Sequence, residues 1–354
     1  MVRFILHGGY GKTATTFLQK NLFSHLNDVL YLGKLQDGKM LSDELQRIYY
    51  TIFPSFAGMA INDIRARNSS LLIPLFGDIL LSEMKQAKKD IILLSNECLI
   101  DYGNYNAELN QFLLLKLFRY LQDNYDEKIE FKVMMTIRNQ KESLKSFYAY
   151  DFTHQKDRFD SFEKFIKYGL ENEYKTIFGG YRYDLVLEDM QNIYGSNNVR
   201  FFVYEKMEED IKAYLRDILD FIGTNQRVDC LNYTQKVNVN SNEGVHRIRE
   251  VKHSFIASLF MKMYQYSKSI LQPLKTVNLF QNLKNIIQSY CNNSVKVVDR
   301  GSLREFPQEL ITDIDNMYKN SNSRLSQMLN TELEKYGYIG GRYEVSIPKY
   351  PGEQ

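Results

Sequence analysis

Three cysteines in 354 residues are too few to hold a chain together. Cys98, Cys230 and Cys291 lie far apart, and their spacing suits neither a disulfide framework nor a metal site. That pattern fits a reducing compartment. Charge of one sign is missing too. The 45 basic and 43 acidic residues leave a net charge of +2, so bulk electrostatics supplies no case for a nucleic-acid partner. No apolar run approaches the ~18 residues that cross a bilayer. A β-prone stretch already begins at Val2, which leaves no room for a signal peptide. These absences predict a cytoplasmic protein without a transmembrane segment, and they set no oligomeric state. What remains is 44% hydrophobic and 25% charged, a globular composition on a chain long enough for a large core.

The chain is organised around His7-Gly8-Gly9-Tyr10-Gly11-Lys12-Thr13-Ala14-Thr15-Thr16. Short, apolar Val2–Leu6 precedes it. Phe17-Leu18-Gln19-Lys20-Asn21-Leu22-Phe23 follows, with apolar residues at helical spacing. The stretch therefore reads as strand, glycine turn, helix. Such a turn aims backbone N–H groups and the positive end of a helix at one point, and that point suits phosphate. Glycines let the backbone approach an anion, Lys12 adds a full charge, and the threonines add hydroxyl donors. A merely structural βα turn would use the glycines but has no need of the lysine and threonines.

A Walker A loop needs a glycine five residues before its Gly-Lys pair. Here that position is Leu6, so the pattern fails. The run Gly9-x-x-Lys12-Thr13-Ala14-Thr15-Thr16 instead resembles the 5′-phosphosulfate loop of sulfotransferases that use 3′-phosphoadenosine 5′-phosphosulfate (PAPS). The usual core of that loop is Lys-Thr-Gly-Thr-Thr. Ala14 stands at its glycine, a change expected to be well tolerated at a helix start.

Further β-prone segments lie at 28–33, 90–97, 131–137 and 199–204, each followed by helical periodicity. The segment at 90–97 has the unbroken apolar texture of a strand buried on both faces. The expected fold is therefore α/β: a three-layer parallel sheet of about five strands with a P-loop-like phosphate loop. A helical insert is expected at 34–90. A helical C-terminal region at 224–340 is expected to pack on the same core, making residues 1–354 one domain.

A second constellation supports the resemblance. Arg138 ends the strand at 131–137, and Ser146 lies eight residues on, about two turns into the next helix. Sulfotransferases carry an Arg and a Ser at this spacing, where they hold the 3′-phosphate of PAPS. Arginine suits that task because its planar fork donates to an anionic phosphate. Val199–Met207 resembles the strand and Tyr-Glu turn of bacterial sulfotransferases. Asn238–Ser241 and Tyr318–Leu325 resemble their later stretches. A third contact to the 3′-phosphate is open among Lys236, Arg247 and Arg300.

The resemblance implies sulfuryl transfer from PAPS to an acceptor hydroxyl, with a carbohydrate or glycan precursor as the expected acceptor. Gly9, Gly11, Lys12, Thr13, Ala14, Thr15, Thr16, Arg138 and Ser146 are the implied cofactor-binding residues. Lys12 and Glu97 are the implied catalytic pair, and no metal is required. Glu97 ends a core strand where ligands bind in parallel sheets, although a helix cap or solvated strand end would look the same. His154 and His7 are the alternative bases, His7 reading more readily as a packed residue. The aromatic stretch 147–183 suits either an acceptor cleft or a core. Two other functions compete: a small-metabolite kinase of P-loop type, and a nucleotide-binding module without chemistry.

Overall fold

The computed structural model describes residues 1–33, 49, 52–53, 65–96, 107–150, 159, 162–173, 176–230 and 308–341. The chain divides into two units. One comprises Met1–Tyr148, Ser161–Val239 and Pro307–Gln354, and the other Ala149–Asp160 and Asn240–Phe306. Nearly all described residues belong to the first unit, whose architecture follows.

Five strands form one sheet: β1 (Val2–Gly9), β2 (Val29–Gly33), β3 (Ile91–Ser95), β4 (Ile129–Ile137) and β5 (Val199–Val203). Their order is β2-β3-β1-β4-β5 and every pairing is parallel. The expected α/β fold and its five strands are thus present. Strand β1 is central and almost wholly buried, as its apolar run requires. Alternate residues serve opposite faces. Ile5 joins Phe17 and Leu18 of α1 (Thr15–Asn21), Leu22 at its C-cap, and Leu215, Ile218 and Ile222 of a later helix. Phe4 turns the other way, 5.6 Å from Phe118, which stacks on Phe131 at 4.2 Å.

Helix α2 (Ser69–Ala87) carries Pro74 in its sixth position, and buries Ile73, Phe76, Leu80 and Met84 at helical spacing. This part of the expected insert is helical. Most of 34–64 lies outside the described residues. Helices α3 (Ala107–Asn124), α4 (Gln140–Tyr150), α5 (Phe162–Glu171), α6 (Ile177–Gly180) and α7 (Tyr183–Tyr194) follow in order.

After β5 the structure departs from expectation. The strand stops at Val203, and Tyr204 and Glu205 already belong to α8 (Tyr204–Glu209). The reason is the ladder: β5 pairs only with β4, and Val203 faces Ile137, the last residue of β4. Beyond that point a strand has no partner for its backbone. Asp210 then separates α8 from α9 (Ile211–Ile222) by capping the latter. Its carboxylate accepts from the Lys212 and Ala213 amides at 2.9 and 3.0 Å. Gly223 ends α9 at φ 75, where an added Cβ would lie 2.0 Å from Arg3 Nη1.

The last described helix, α10 (Gln308–Leu329), buries Leu310, Ile314, Tyr318 and Leu325 along one stripe. Tyr318 donates to the Phe178 carbonyl at 2.9 Å. Ser321 bonds Asp184, and Arg324 bonds Glu188. Among the described residues no helix is long and apolar enough to cross a membrane.

The Asp210 carboxylate accepts from the first amides of α9, so its loss tests how that helix is held. Asp210→Ala should cost about 1 kcal/mol in urea unfolding and leave nucleotide affinity unchanged. A cost near zero would mean that α8 and α9 are held by packing alone.

Candidate active site

Ligands of parallel sheets bind at strand carboxyl ends where neighbouring connections leave in opposite directions. Here the chain leaves β1 toward β2 on one side, and leaves β4 toward β5 on the other. Strands β1 and β4 are adjacent, with Gly9 opposite Thr136. The glycine loop follows β1 and Arg138 follows β4. Both sequence constellations therefore meet at the switch point. A groove of about 960 Å³ lies at the other pole, beside Met1, Ile129 and Phe131 at the strand starts, and no predicted site residue lines it.

The loop's shape comes from its small residues. A Cβ on Gly9 would stand 3.0 Å from Thr15 Cγ2, 3.2 Å from Thr13 Oγ1 and 3.3 Å from the Thr136 carbonyl. The chain thus folds back over the strand end only with glycine there. Lys12 and Ala14 both have positive φ, 70 and 61, and Thr13 between them does not. Left-handed residues in a tight turn are the kind of backbone that can gather amides into a concavity. Thr13 is buried and its hydroxyl donates to the Tyr10 carbonyl at 2.6 Å, closing the turn. Nothing lies within 4 Å of where a Gly11 Cβ would be, so the backbone there is open to a close approach. Lys12 is exposed at the tip. Thr15 is buried and Thr16 half-buried at the start of α1.

The expectation for Ala14 needs correcting. It is the N-cap of α1, in left-handed backbone and without a side-chain cap bond. Its methyl group is therefore strained, because a Cβ in that region crowds the backbone. The usual glycine in this loop has a conformational reason that a simple helix start does not reveal.

Tyr10 anchors the loop from below. It is fully buried, and its hydroxyl donates to the Gly180 carbonyl. Its ring stacks on Tyr181 at 5.1 Å and meets Tyr183 edge-on at 5.0 Å. These rings of the aromatic stretch are core residues, not an open cleft.

Arg138 reaches across to the loop: Nη1 donates to the Lys12 carbonyl at 3.3 Å. The guanidinium carbon lies 4.9 Å from the centre of the Tyr204 ring, a cation–π geometry. Asn139 caps α4, its side chain accepting from the Lys141 amide at 3.0 Å. Its own N–H donates to Glu205 at 2.8 Å, and the other Glu205 oxygen accepts from Tyr338 at 3.2 Å. Burial pushes the Glu205 carboxyl above its ordinary value, against the Asn139 amide, the Tyr338 hydroxyl and the Arg138 charge, which favour the ion. Tyr204 and Glu205 stand beside the candidate site, and the sequence showed them only as a Tyr-Glu turn after the last strand. Ser146 stands half-buried two turns along α4.

His7 points away from the role of a base. It is 1% exposed, its Nδ1 lies 2.7 Å from Ser95 Oγ, and burial lowers its pKa to about 3. A group so weakly basic takes a proton poorly. Gln19 of α1 donates to the same Ser95 hydroxyl at 3.1 Å, so this node ties α1 to the ends of β1 and β3. Glu97, His154, Lys236, Arg247, Arg300 and Asn238–Ser241 lie outside the described residues. Among the described residues no group of three or more His, Cys, Asp or Glu could hold a metal ion.

Sheet and loop together have the architecture of a parallel α/β protein with a glycine loop at its switch point. The sulfotransferase domain family matches the chain over residues 5–238, and the protein belongs to that family, whose members are transferases. A sulfotransferase from Alicyclobacillus acidocaldarius is 12% identical, with a TM-score of 0.48 over 95% of this chain and 99% of its own. The sulfotransferase domain of the Synechococcus PCC 7002 olefin synthase is 15% identical, with a TM-score of 0.37 over 67% of this chain and 78% of its own. Comparison with curated proteins finds no match.

The strain at Ala14 has a measurable consequence. Left-handed backbone costs a non-glycine residue ~1–2 kcal/mol, and the greater freedom of unfolded glycine takes back ~0.5–1 kcal/mol. Ala14→Gly should therefore stabilise the protein by about 0.5–1 kcal/mol in chemical unfolding. A destabilisation would show that residue 14 is not held in the left-handed region.

Proposed function

We propose that this protein transfers the sulfuryl group of PAPS to an acceptor hydroxyl. One observation carries the reading: Arg138 at the end of β4 donates to the backbone of Lys12 in the loop after β1. A fork of donors and an anion-shaped loop thus stand side by side at adjacent strand ends. A nucleotide with phosphate at both its 3′ and 5′ positions matches such a pair.

In this scheme the loop amides around Gly9, Gly11, Thr13, Ala14, Thr15 and Thr16 hold the 5′-phosphosulfate. Arg138 and Ser146 hold the 3′-phosphate. The acceptor oxygen forms a new bond to sulfur as the bond from sulfur to the 5′-phosphate oxygen breaks. Charge grows on that leaving oxygen, where Lys12 and the loop donors stabilise it. Glu97 takes the proton that the acceptor hydroxyl gives up. No metal enters the scheme. The acceptor is a carbohydrate or glycan precursor, and the reaction belongs in the cytoplasm.

Calorimetry tests the donor. 3′-Phosphoadenosine 5′-phosphate should bind far more tightly than AMP. Arg138→Ala should cost about 1.5–3 kcal/mol in affinity for the bisphosphate and less for AMP. Equal affinity of the parent protein for both nucleotides would sink the proposal.

Turnover tests the division of labour. Lys12→Ala should weaken nucleotide binding and slow transfer. Glu97→Gln should leave nucleotide affinity nearly unchanged while cutting turnover by roughly 10²–10⁴. If Glu97→Gln keeps most of its activity, the base lies elsewhere, and His154 is the next residue to replace.

A further inference from the structure

The peptide unit joining Arg138 to Asn139 is gripped at both ends. Its carbonyl accepts from the Tyr183 hydroxyl at 2.8 Å and from Ser143 Oγ at 3.4 Å. Its N–H donates to Glu205 at 2.8 Å, and Tyr338 donates to the same carboxylate at 3.2 Å. A peptide plane held this way cannot rotate, so the side chain of Arg138 leaves the strand end in one direction. Tyr204 beneath the guanidinium and the Lys12 carbonyl beside it fix the rest of its path.

Tyr183 also touches the loop's anchor. Its ring meets Tyr10 edge-on at 5.0 Å and Tyr181 at 5.9 Å. Tyr10 lies inside the glycine loop, where its hydroxyl is fixed to Gly180. One side chain therefore has its ring against the 5′ loop and its hydroxyl on the 3′ turn. It is fully buried, so it cannot meet a ligand. Aromatic packing resists sliding because edge and face geometry must be kept, and a hydroxyl-to-carbonyl bond resists stretching. Together they form a short, stiff strut between two anion sites.

We infer that Tyr183 is a positioning residue that sets the distance between the glycine loop and Arg138, and so selects nucleotides with phosphate at both positions. The inference rests on the proposed donor. A ligand with only a 5′-phosphate uses the loop and is indifferent to where Arg138 stands. A ligand with both phosphates must satisfy two sites at once, and pays for any misplacement of one relative to the other.

Tyr183→Phe keeps the ring against Tyr10 and removes only the hydroxyl. Affinities of the parent and variant for 3′-phosphoadenosine 5′-phosphate and for AMP are measured by calorimetry, with thermal unfolding alongside. The variant should lose about three- to tenfold for the bisphosphate, the effect of one neutral hydrogen bond, with AMP affinity unchanged. A bisphosphate-to-AMP ratio equal to the parent's, or an equal loss for both nucleotides, overturns the inference while leaving the donor reading intact. A parent protein without preference for the bisphosphate overturns both. Should Tyr183→Phe fail to fold, Tyr338→Phe loosens the opposite end of the same peptide through Glu205. It should lower the ratio in the same sense, and an unchanged ratio there overturns the inference equally.

Discussion

Gly9 leaves its Cβ position to be hemmed in by Thr13, Thr15 and the Thr136 carbonyl, all within 3.3 Å. That crowding expresses the constraint on which the rest of the site depends. The chain must reverse direction within a few residues of a fully buried strand and still keep its amides in reach of a ligand. Residues with positive φ at Lys12 and Ala14 achieve the turn. The Thr13 hydroxyl closes it, and Tyr10 ties it down. None of this requires a long helix or a bulk positive charge. The shape of the loop is a property of its backbone, and Lys12 adds an exposed charge at its tip.

The neighbourhood is stiffened by buried tyrosines, each spanning two elements. Tyr10 joins the loop to α6, Tyr183 joins α7 to the turn after β4, and Tyr318 joins α10 to α6. A tyrosine serves well here because its ring contributes apolar burial while its hydroxyl satisfies a carbonyl that would otherwise be costly to bury. The same logic explains Glu205. A carboxylate placed among apolar residues is expensive, and the Asn139 amide, Tyr338 and Arg138 offset part of that cost.

Strand β3 was legible as an unbroken apolar run, and the other four as short, mostly apolar β-prone segments, each followed by helical periodicity. The glycine loop was legible because a lysine and several threonines stand beside glycines directly before a helix, although Thr13 also serves the turn itself by closing it on the Tyr10 carbonyl. Arg138 was legible by position, directly past a strand. Three features were not. The left-handed state of Ala14 depends on how the loop folds over Thr136, which no local propensity records. The early end of β5 depends on where its partner strand stops. Tyr183 gave no local sign of its function, since it sits among many aromatic residues and acts by what its two ends touch. Arg138 and Tyr183 lie 45 positions apart in sequence, beyond the reach of periodicity or spacing.

The matched family span closes at residue 238, yet the chain beyond it reaches back to the turn after β4. Gln140 at the start of α4 donates to Asn322 at 2.7 Å, and Tyr338 donates to Glu205. During synthesis, the sheet and its glycine loop leave the ribosome long before residues 322 and 338 have been made. A nascent chain therefore exposes the residues of the glycine loop before those that complete the turn after β4. The grip on the Arg138–Asn139 peptide is completed only once Tyr338 has emerged. A chain cut short before Tyr338 would carry the loop without the finished turn beside it.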